Sequence, residues 1–292
     1  MKLGLGTAQF GIDYGVTNLD GPVSREEILR ILKVAEAAGI STLDTAAAYG
    51  DSEALLGETI ASIATRFNVV TKLMPLRATM IGPDEIATAR EGVKQSLLRL
   101  KGCAISTLLV HDAADLLAPG GERLYDLLCS WREVGLVARI GASVYDARQI
   151  EALLERYDLS VLQLPVNVFD QRLLKAGVLA ELEQRGVAVH ARSVFLQGVL
   201  LSRPDALPKS FARWAPELER YREYLVARSV STMQAAIGFA AALPAVETVL
   251  IGVTSSVQLD ECVTAYRKGC GLDLSEFASD DVDLLDPRKW SH

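Results

Sequence analysis

Short apolar runs alternate with longer amphipathic stretches along most of this chain. The short runs are rich in β-branched and aliphatic residues, which favours buried strands, whereas the longer stretches repeat their apolar positions at helical spacing. This pattern predicts eight strands, at residues 3–5, 42–45, 68–72, 107–111, 138–143, 161–164, 188–193 and 248–253. A helical stretch follows each of them, so the chain repeats a strand–helix unit.

Local residue choices mark the ends of the predicted helices. Ser24 with Glu27, and Ser255 with Gln258, match the capping box, in which the two side chains each bind the other residue's backbone amide. Pro83 suits the first turn of a helix because its missing amide proton would have no partner there. Glycines suited to a left-handed position just past a helix end are Gly39, Gly102, Gly135 and Gly186.

Eight apolar strands, each followed by a helix, favour a closed parallel (β/α)8 TIM barrel forming one domain over residues 1–292. An open, doubly wound sheet is the alternative. It would need a glycine-rich phosphate loop after the first strand, but the segment GLGTAQ at 4–9 lacks the third glycine. Two long inserts, at 112–121 and 198–216, follow the fourth and seventh strands, at the end where a barrel carries its active site.

Composition and charge narrow the class of protein. The chain has 292 residues, 50% of them hydrophobic and 23% charged, which is the balance of a globular protein of barrel size. Its formal net charge is −7, and its basic residues are scattered. Because an acidic chain without a basic cluster repels a phosphate backbone, we expect no nucleic-acid partner.

The cysteines and the apolar segments indicate in which cellular compartment the protein is expected. The four cysteines form no CxxC pair, which predicts reduced thiols and no metal site; they are Cys103, Cys129, Cys262 and Cys270. The chain enters its first predicted strand without the apolar core of a signal peptide. Pro244 and Glu247 interrupt the most apolar stretch, at 233–253. We therefore expect a cytoplasmic protein without a membrane span.

Four polar residues stand at or just after the carboxyl ends of early strands: Asp44, Tyr49, Lys72 and His111. The strand ends of a barrel converge on one mouth, so these residues would surround a single cavity. Each alone has an ordinary structural interpretation, as a helix cap, a rim tyrosine, a solvated lysine or a hydrogen-bonded histidine. Their succession on consecutive strand–helix units favours a catalytic set instead.

The segment DTAAAYG at 44–50 resembles the motif Asp-Thr-Ala-x-x-Tyr-Gly of the aldo-keto reductase superfamily. VVTK at 69–72 and LLVH at 108–111 resemble the lysine and histidine strands of that family, and 139–143, 162–164 and 191–193 resemble its cofactor-lining segments. The resemblance runs from residue 3 to about 265. It implies an NAD(P)H-dependent oxidoreductase that interconverts an alcohol with the carbonyl of an aldehyde, ketone or sugar.

The resemblance also implies a role for each of the four residues. Tyr49 would be the general acid and base. A phenol with a pKa of about 10 needs roughly 4 kcal/mol to ionise near pH 7, and an ammonium such as Lys72 a few Å away supplies about that much. Asp44 would hold Lys72 charged, and His111 would donate a hydrogen bond to the substrate oxygen.

A nicotinamide cofactor, NADP with NAD as the other possibility, follows from the same resemblance. The residues implied to bind it are Gly6, Thr7, Ser143, Gln163, Arg192, Ser193, Gly252, Thr254, Ser255, Gln258 and Glu261. Many family members hold the adenosine 2′-phosphate with a lysine and an arginine, and Gly252 and Gln258 stand at those positions here. We expect the helix that begins near Ser255 to offer backbone amides to a phosphate, and the chain to use both cofactors.

Two further positions depart from the pattern. Val144 stands where an asparagine commonly holds the nicotinamide carboxamide, and Arg192 replaces an aromatic residue that stacks on the nicotinamide. Arg192 would bind an anionic or polyhydroxyl part of the substrate; the alternative is an ion pair with a carboxylate or with the cofactor pyrophosphate. Both remain open.

Two other functions also remain open at this point. One is a class I aldolase with Lys72 as Schiff-base nucleophile, although a paired Asp44 would keep that amine protonated. The other is a non-catalytic nicotinamide-binding or regulatory subunit on the same barrel. The expected partner is a small carbonyl or sugar substrate, and the expected assembly is a monomer or small homo-oligomer.

Overall fold

Eight parallel strands close into a barrel, in the order of the chain, in this computed structural model. The structure describes residues 1–18 and 21–290. The strands are β1 (Leu3–Gly6), β2 (Thr42–Asp44), β3 (Asn68–Leu73), β4 (Ile105–Val110), β5 (Arg139–Ser143), β6 (Val161–Pro165), β7 (Ala188–Arg192) and β8 (Val246–Gly252). Pairing of β8 with β1 closes the sheet. The predicted (β/α)8 barrel is confirmed, and each predicted strand agrees with the observed one to within two residues at either end.

Helices connect the strands and cover the barrel. They are α1 (Ala8–Gly11), α2 (Arg25–Ala38), α3 (Ser52–Thr59), α4 (Pro83–Arg99), α5 (Ala114–Leu117), α6 (Gly121–Glu133), α7 (Ala147–Leu154), α8 (Arg172–Lys175), α9 (Val178–Gln184), α10 (Ala215–Val226), α11 (Thr232–Ala242), α12 (Ser256–Lys268) and α13 (Val282–Leu285). The main helices that follow the eight strands are α2, α3, α4, α6, α7, α9, α11 and α12. The short helices α1, α5 and α8, together with α10, lie in the loops, and α13 lies in the C-terminal segment.

The structure contains one of the two hydrogen bonds of each predicted capping box. The Ser24 hydroxyl accepts the Glu27 amide at the start of α2, and the Ser255 hydroxyl accepts the Gln258 amide at the start of α12. Gly39 ends α2 with a φ of 77°, as predicted. The reciprocal half of both capping boxes is wrong, because the side chains of Glu27 and Gln258 bind other amides. Both side chains instead accept amides at the start of α12, next to the cavity described below.

The interior of the barrel holds a small apolar layer below the mouth. Val70, Leu109 and Val161 form a buried cluster, although they come from β3, β4 and β6. Such a contact is possible only across the inside of the barrel. Because residues two apart on a strand face the same side, Lys72 on β3 points into the interior one layer above Val70.

The long insert after β7 and the C-terminal segment pack into a second apolar cluster beside the mouth. Tyr221 of α10 lies edge-on to Phe169, with ring centroids 5.5 Å apart, and to Phe277 at 5.3 Å. Phe211 of the insert packs against Trp290 at 4.9 Å. The predicted insert at 198–216 therefore lies at the active face. It is held there by an apolar cluster that it shares with α10 and the C-terminal segment.

Over residues 1–18 and 21–290, no helix is long and apolar enough to cross a membrane. The same residues contain no group of three or more His, Cys, Asp or Glu side chains placed to hold a metal ion. The four cysteines are free thiols.

Candidate active site

Asp44 and Lys72 form a buried ion pair inside the barrel. The Lys72 Nζ donates to Asp44 Oδ2 at 2.7 Å and to the Thr45 carbonyl at 2.8 Å, and Lys72 is only 1% exposed. The other carboxylate oxygen of Asp44 accepts Gln163 Nε2 at 2.7 Å. One carboxylate thus joins β2, β3 and β6, which fixes its position and that of the ammonium.

Tyr49 lies in the turn before α3, in front of this ion pair. The Lys72 Nζ is 4.9 Å from the centroid of the Tyr49 ring. The His111 ring meets the Tyr49 ring edge-on, with centroids 5.8 Å apart and planes at 88°. The four residues that the sequence singles out therefore meet in one place.

The electrostatics of Tyr49 differ from the expectation drawn from the sequence. Burial raises the pKa of Tyr49, the Asp44 carboxylate raises it further, and Arg192 opposes them. From the sequence we expected the Lys72 ammonium to lower this pKa, without including the opposing charge of the Asp44 carboxylate. Because the Asp44 carboxylate lies 2.7 Å from that ammonium, the phenol meets an ion pair whose charges largely cancel. Tyr49 keeps its proton at neutral pH.

His111 is neutral at physiological pH. Burial, reinforced by the positive charge of Lys72, lowers its pKa to about 4. Its Nδ1 atom is buried and has no hydrogen-bond partner in the described part of the chain. A proton on Nδ1 would be a buried donor without an acceptor, so the tautomer with the proton on Nε2 costs less free energy.

Hydrogen bonds hold the start of α3, and with it the Tyr49 turn, against β1. The Ser52 hydroxyl donates to the Thr7 carbonyl at 2.9 Å, and the Thr7 hydroxyl donates to the Asp44 carbonyl at 3.0 Å. Gly11 leaves room for this contact, because a Cβ there would overlap the Tyr49 carbonyl oxygen. The turn is therefore fixed by backbone proximity as well as by hydroxyl groups.

A buried carboxylate that sequence reasoning missed anchors α3 from the other side. Glu53 is fully buried; it accepts the Thr71 hydroxyl at 2.6 Å and Arg99 Nε at 2.8 Å. An acidic residue in the first turn of a helix is usually an exposed partner of the helix dipole, so its position gave no sign of burial. Thr71 precedes Lys72, and Glu53 thereby ties the Tyr49 turn to the lysine strand.

A cavity of about 530 Å³ opens beside Tyr49 and extends to α12. Eleven of the fifteen predicted site residues line it: Gly6, Thr7, Asp44, Tyr49, Gln163, Arg192, Ser193, Gly252, Thr254, Gln258 and Glu261. Four do not: Lys72, His111, Ser143 and Ser255. Lys72 is buried beside the Tyr49 ring, His111 meets that ring edge-on, and Ser143 is buried beside Gln163 in the sheet. Ser255 uses its hydroxyl oxygen to cap α12.

Two loops complete the cavity with residues that the sequence did not single out, among them Tyr14 and Gln197. Burial, and next the nearby Tyr49, raise the pKa of Tyr14. In the loop after β7, Ser193, Leu196 and Gln197 all adopt positive φ, at 59°, 48° and 52°. Such backbone is strained for non-glycine residues and concentrates at functional sites. Positive φ is usually predicted from a glycine, and these three positions carry other residues, so the sequence did not predict this backbone conformation.

Arg192 reaches the cavity with its guanidinium fixed by neutral groups. It donates to the Val144 carbonyl at 3.0 Å and lies 4.2 Å above the centroid of the Tyr145 ring. Arg288, which pairs with Asp286, stacks on the same ring at 3.5 Å. Within residues 1–18 and 21–290, no carboxylate forms an ion pair with Arg192, so the alternative of a neighbouring protein carboxylate is not what the structure contains.

At the start of α12, where we expected backbone amides to be available, two amides are already hydrogen-bonded within the protein. The Thr254 amide donates to Gln258 Oε1 at 2.8 Å, and the Ser256 amide donates to Glu27 Oε1 at 2.5 Å. A Cβ added at Gly252 would lie 2.6 Å from the side-chain amide nitrogen of Gln9, so that amide fills the space of a larger residue. Side chains of the protein already satisfy these donors.

Comparison with solved structures supports the fold. An aldo-keto reductase from Bacillus halodurans in its holo form is 20% identical, with a TM-score of 0.74, over 99% of this chain and 95% of that one. The glycerol dehydrogenase of Gluconobacter oxydans is 21% identical, with a TM-score of 0.72, over 98% and 92%. An aldo/keto reductase from Klebsiella pneumoniae, in complex with NADP and acetate, is 18% identical, with a TM-score of 0.71, over 100% and 93%.

Comparison with sequences identifies the family. A search of curated proteins finds no match. The model of the aldo/keto reductase family matches residues 2–279, which is nearly the whole chain. Asp44, Tyr49, Lys72 and His111 all lie within that match and meet in one place. The chain therefore belongs to the aldo/keto reductase family, whose members are oxidoreductases that use nicotinamide cofactors.

Proposed function

We propose that this protein reduces the carbonyl of an aldehyde, ketone or sugar to the alcohol with NAD(P)H, or runs the reverse reaction, with Tyr49 as general acid and base. The observation that carries the proposal is the position of Tyr49 in the cavity wall, directly in front of the buried Asp44–Lys72 pair. A proton donor thus faces the space where a substrate would bind, and a fixed ion pair stands behind it.

The proton and hydride balance follows from this arrangement. A bound nicotinamide supplies the hydride in reduction and accepts it in oxidation. As hydride reaches the carbonyl carbon, the electron pair of the C=O π bond moves to oxygen, and that oxygen takes the phenolic proton of Tyr49. The raised pKa of Tyr49 keeps this proton in place until the oxygen becomes basic. The phenolate that remains would face the Asp44–Lys72 ion pair, whose Lys72 Nζ is 4.9 Å from the ring centroid.

His111 would orient the carbonyl oxygen. Its low pKa makes it a neutral imidazole, and its unpartnered Nδ1 favours the proton on Nε2. A neutral donor can hold the oxygen without competing with Tyr49 to protonate it. We therefore assign His111 the role of hydrogen-bond donor, and Asp44 that of fixing Lys72.

The cavity suits a dinucleotide. Its volume of about 530 Å³ lies in the range of cofactor sites, and it runs from Tyr49 to α12. The proposed cofactor residues are those that the family resemblance implies: Gly6, Thr7, Ser143, Gln163, Arg192, Ser193, Gly252, Thr254, Ser255, Gln258 and Glu261. The Thr7 hydroxyl already donates within the protein, so Thr7 would contribute packing more than hydrogen bonds. The Ser255 hydroxyl accepts the Gln258 amide and would keep its own proton to donate to a ligand.

The experiment that tests the proposal is turnover of NADH and NADPH with a panel of aldehydes, ketones and sugars. Replacing Tyr49 with Phe should lower kcat about 10²–10⁴-fold, because it removes general acid catalysis, while cofactor affinity stays nearly unchanged. Tyr266→Phe is the matched control: it also deletes one phenolic hydroxyl, but that hydroxyl accepts the Lys2 amide away from the cavity. Unchanged turnover in Tyr49→Phe would remove Tyr49 from the mechanism.

The other two functions give different results in the same assays. A non-catalytic subunit would bind cofactor and turn over no substrate in the panel. A Schiff-base aldolase would be trapped by borohydride on Lys72. The structure opposes that reaction, because Lys72 is 1% exposed and already donates to Asp44 and to the Thr45 carbonyl.

A further inference from the structure

Thr71 and Lys72 point to opposite faces of β3. Lys72 points into the barrel, and because neighbouring residues of a strand alternate between its faces, Thr71 points outwards to the helices. The Thr71 hydroxyl donates to Glu53 Oε1 at 2.6 Å, and Glu53 lies in the first turn of α3, shortly after Tyr49. The strand that carries the ammonium is thereby hydrogen-bonded to the helix that follows the Tyr49 turn.

The Glu53 carboxylate is also fixed to the end of α4. Its Oε2 accepts Arg99 Nε at 2.8 Å and lies 2.7 Å from Arg99 Nη2, and Arg99 is the last residue of that helix. Glu53 is fully buried, whereas the Arg99 side chain is 34% exposed. The guanidinium also donates to the Ser96 hydroxyl at 3.3 Å. One carboxylate therefore joins α3 to both β3 and α4.

A close backbone contact holds the same two helices against each other. Gly57 lies one turn after Glu53 on the same face of α3, and a Cβ there would overlap the Arg99 carbonyl oxygen. This approach leaves α3 no room to move towards α4. Movement away from α4 would separate Glu53 from Arg99, so the ion pair restrains a direction that the backbone contact leaves open.

We propose that Glu53 is a positioning residue for the reaction, and that with Thr71 and Arg99 it sets where the Tyr49 phenol stands relative to Lys72. The proposal rests on the proposed function, in which Tyr49 transfers the proton. Burying an ion pair costs desolvation, and apolar side chains of similar size often leave a protein equally stable. The pair is therefore better explained by the geometry that it imposes, because a displacement of about 1 Å near a reacting group can lower a rate about 100-fold.

The test is a kinetic double-mutant cycle between Glu53→Gln and Tyr49→Phe. Gln keeps the size of the side chain but has one acceptor oxygen in place of two, so it cannot reproduce both sets of native hydrogen bonds. Glu53→Gln should lower kcat about 10–100-fold, with KM and cofactor affinity within about twofold of the wild type. In the Tyr49→Phe background the same substitution should change kcat by less than about twofold, because the group that Glu53 positions is gone. A residue that only stabilises the fold would lower kcat by the same factor in both backgrounds.

Thr71→Val isolates the link to the lysine strand and gives the answer even if Glu53→Gln does not fold. It removes one hydroxyl, leaves the Glu53–Arg99 pair in place, and should lower kcat at least about threefold, again only where Tyr49 is present. Glu58→Gln is the matched control. It removes a carboxylate from the same helix, where Glu58 pairs at the surface with Lys101 just beyond α4, and it should leave kcat unchanged.

Two results would overturn the inference. One is a fall in kcat by the same factor with and without the Tyr49 hydroxyl, and the other is an unchanged kcat in Thr71→Val or in a folded Glu53→Gln. Full turnover in Tyr49→Phe alone would instead remove Tyr49 from the mechanism, and the inference would then fall together with the proposed function.

Discussion

At the scale of single residues, Arg192 bears most directly on the substrate. Its guanidinium lies in the cavity wall, held by the Val144 carbonyl and the Tyr145 ring, and it has no carboxylate partner among the residues the structure describes. A partly buried charge that no carboxylate contacts directly is costly, so a bound anion or a set of hydroxyl groups would complete it. That partner would be part of the substrate or the cofactor pyrophosphate.

Replacing Arg192 with Leu separates these two partners. If the partner is the substrate, KM for carbonyl compounds that carry a carboxylate should rise at least about tenfold, because a hydrogen bond to a charged group is worth about 1.5–3 kcal/mol. A small apolar aldehyde should be spared. Steady-state kinetics with paired substrates, together with direct measurement of cofactor binding, gives the answer.

Arg288→Leu is the control for this prediction. It removes the other guanidinium that stacks on Tyr145, but Arg288 does not line the main cavity. A loss of cofactor affinity in Arg192→Leu, with every substrate slowed alike, would instead assign Arg192 to the pyrophosphate. If neither affinity nor substrate ranking changes, Arg192 has only a structural role.

At the scale of elements, the contact between α1 and the Tyr49 turn leaves no room for a side chain. A Cβ on Gly11 would overlap the Tyr49 carbonyl oxygen, and a Cβ on Gly50, whose φ is +52°, would overlap the Gly11 carbonyl oxygen. The obstacles are backbone atoms, which cannot rotate away as a side chain can. The position of Tyr49 therefore depends on two glycines in facing segments.

Gly11→Ala should push the Tyr49 turn away from α1. We expect a loss of stability of about 1–3 kcal/mol, as for other overpacked sites, and a fall in kcat larger than any change in cofactor affinity. Gly92→Ala in α4 is the matched control, because its new Cβ would meet nothing within 4 Å. It should stabilise the protein by about 0.5–1 kcal/mol through helix propensity. Thermal unfolding and turnover of both variants measure this, and an undisturbed kcat in Gly11→Ala would contradict it.

The same elements show what the sequence could and could not predict. The strands were predictable because each is a short, mostly apolar run, and the meeting of Asp44, Tyr49, Lys72 and His111 was predictable because parallel strand ends converge. The hydrogen-bond partner of Glu27 could not be predicted, because the local spacing indicated a capping box within α2. The true partner, Ser256, lies 229 residues away and comes near only when β8 closes on β1. A contact that forms only when the barrel closes cannot be predicted from a short segment of sequence.

At the scale of the whole molecule, the barrel end opposite the cavity is closed by a charged cluster. Arg139 at the start of β5 donates to Glu247 at 2.9 Å, and His190 of β7 lies 3.3 Å from the same carboxylate. The hydrogen bond from His190, and next that from Arg139, hold the pKa of Glu247 down to about 2. This cluster joins three strands that are not all neighbours in the sheet.

Acid should weaken this closure. The pKa of Glu247 is lower in the folded protein than its ordinary value of 4.5, so its contribution is fully present above about pH 4.5 and is lost as the pH falls towards 2. Because the side chain is 47% exposed, solvent screening limits the contribution to about 1 kcal/mol or less. Urea unfolding at pH 7 should find Glu247→Gln less stable than the wild type, and the difference should narrow at pH 3.

Glu133→Gln, which changes an exposed carboxylate at the end of α6, is the control for charge alone and should show no such pH-dependent gap. A gap between Glu247→Gln and the wild type that stays constant from pH 7 to pH 3 would mean that the carboxylate acts through packing and not through its charge.

The second apolar cluster bears on how such an enzyme changes over generations. Phe211, Tyr221 and Trp290 pack beside the barrel, in a core separate from the layer beneath the Asp44–Lys72 pair. Substitutions in that outer core can remodel the wall of the mouth while the reacting groups stay where they are. Descendants of one ancestor can therefore diverge in the compounds they accept and still inherit the same chemistry, since the two properties depend on different sets of packed residues.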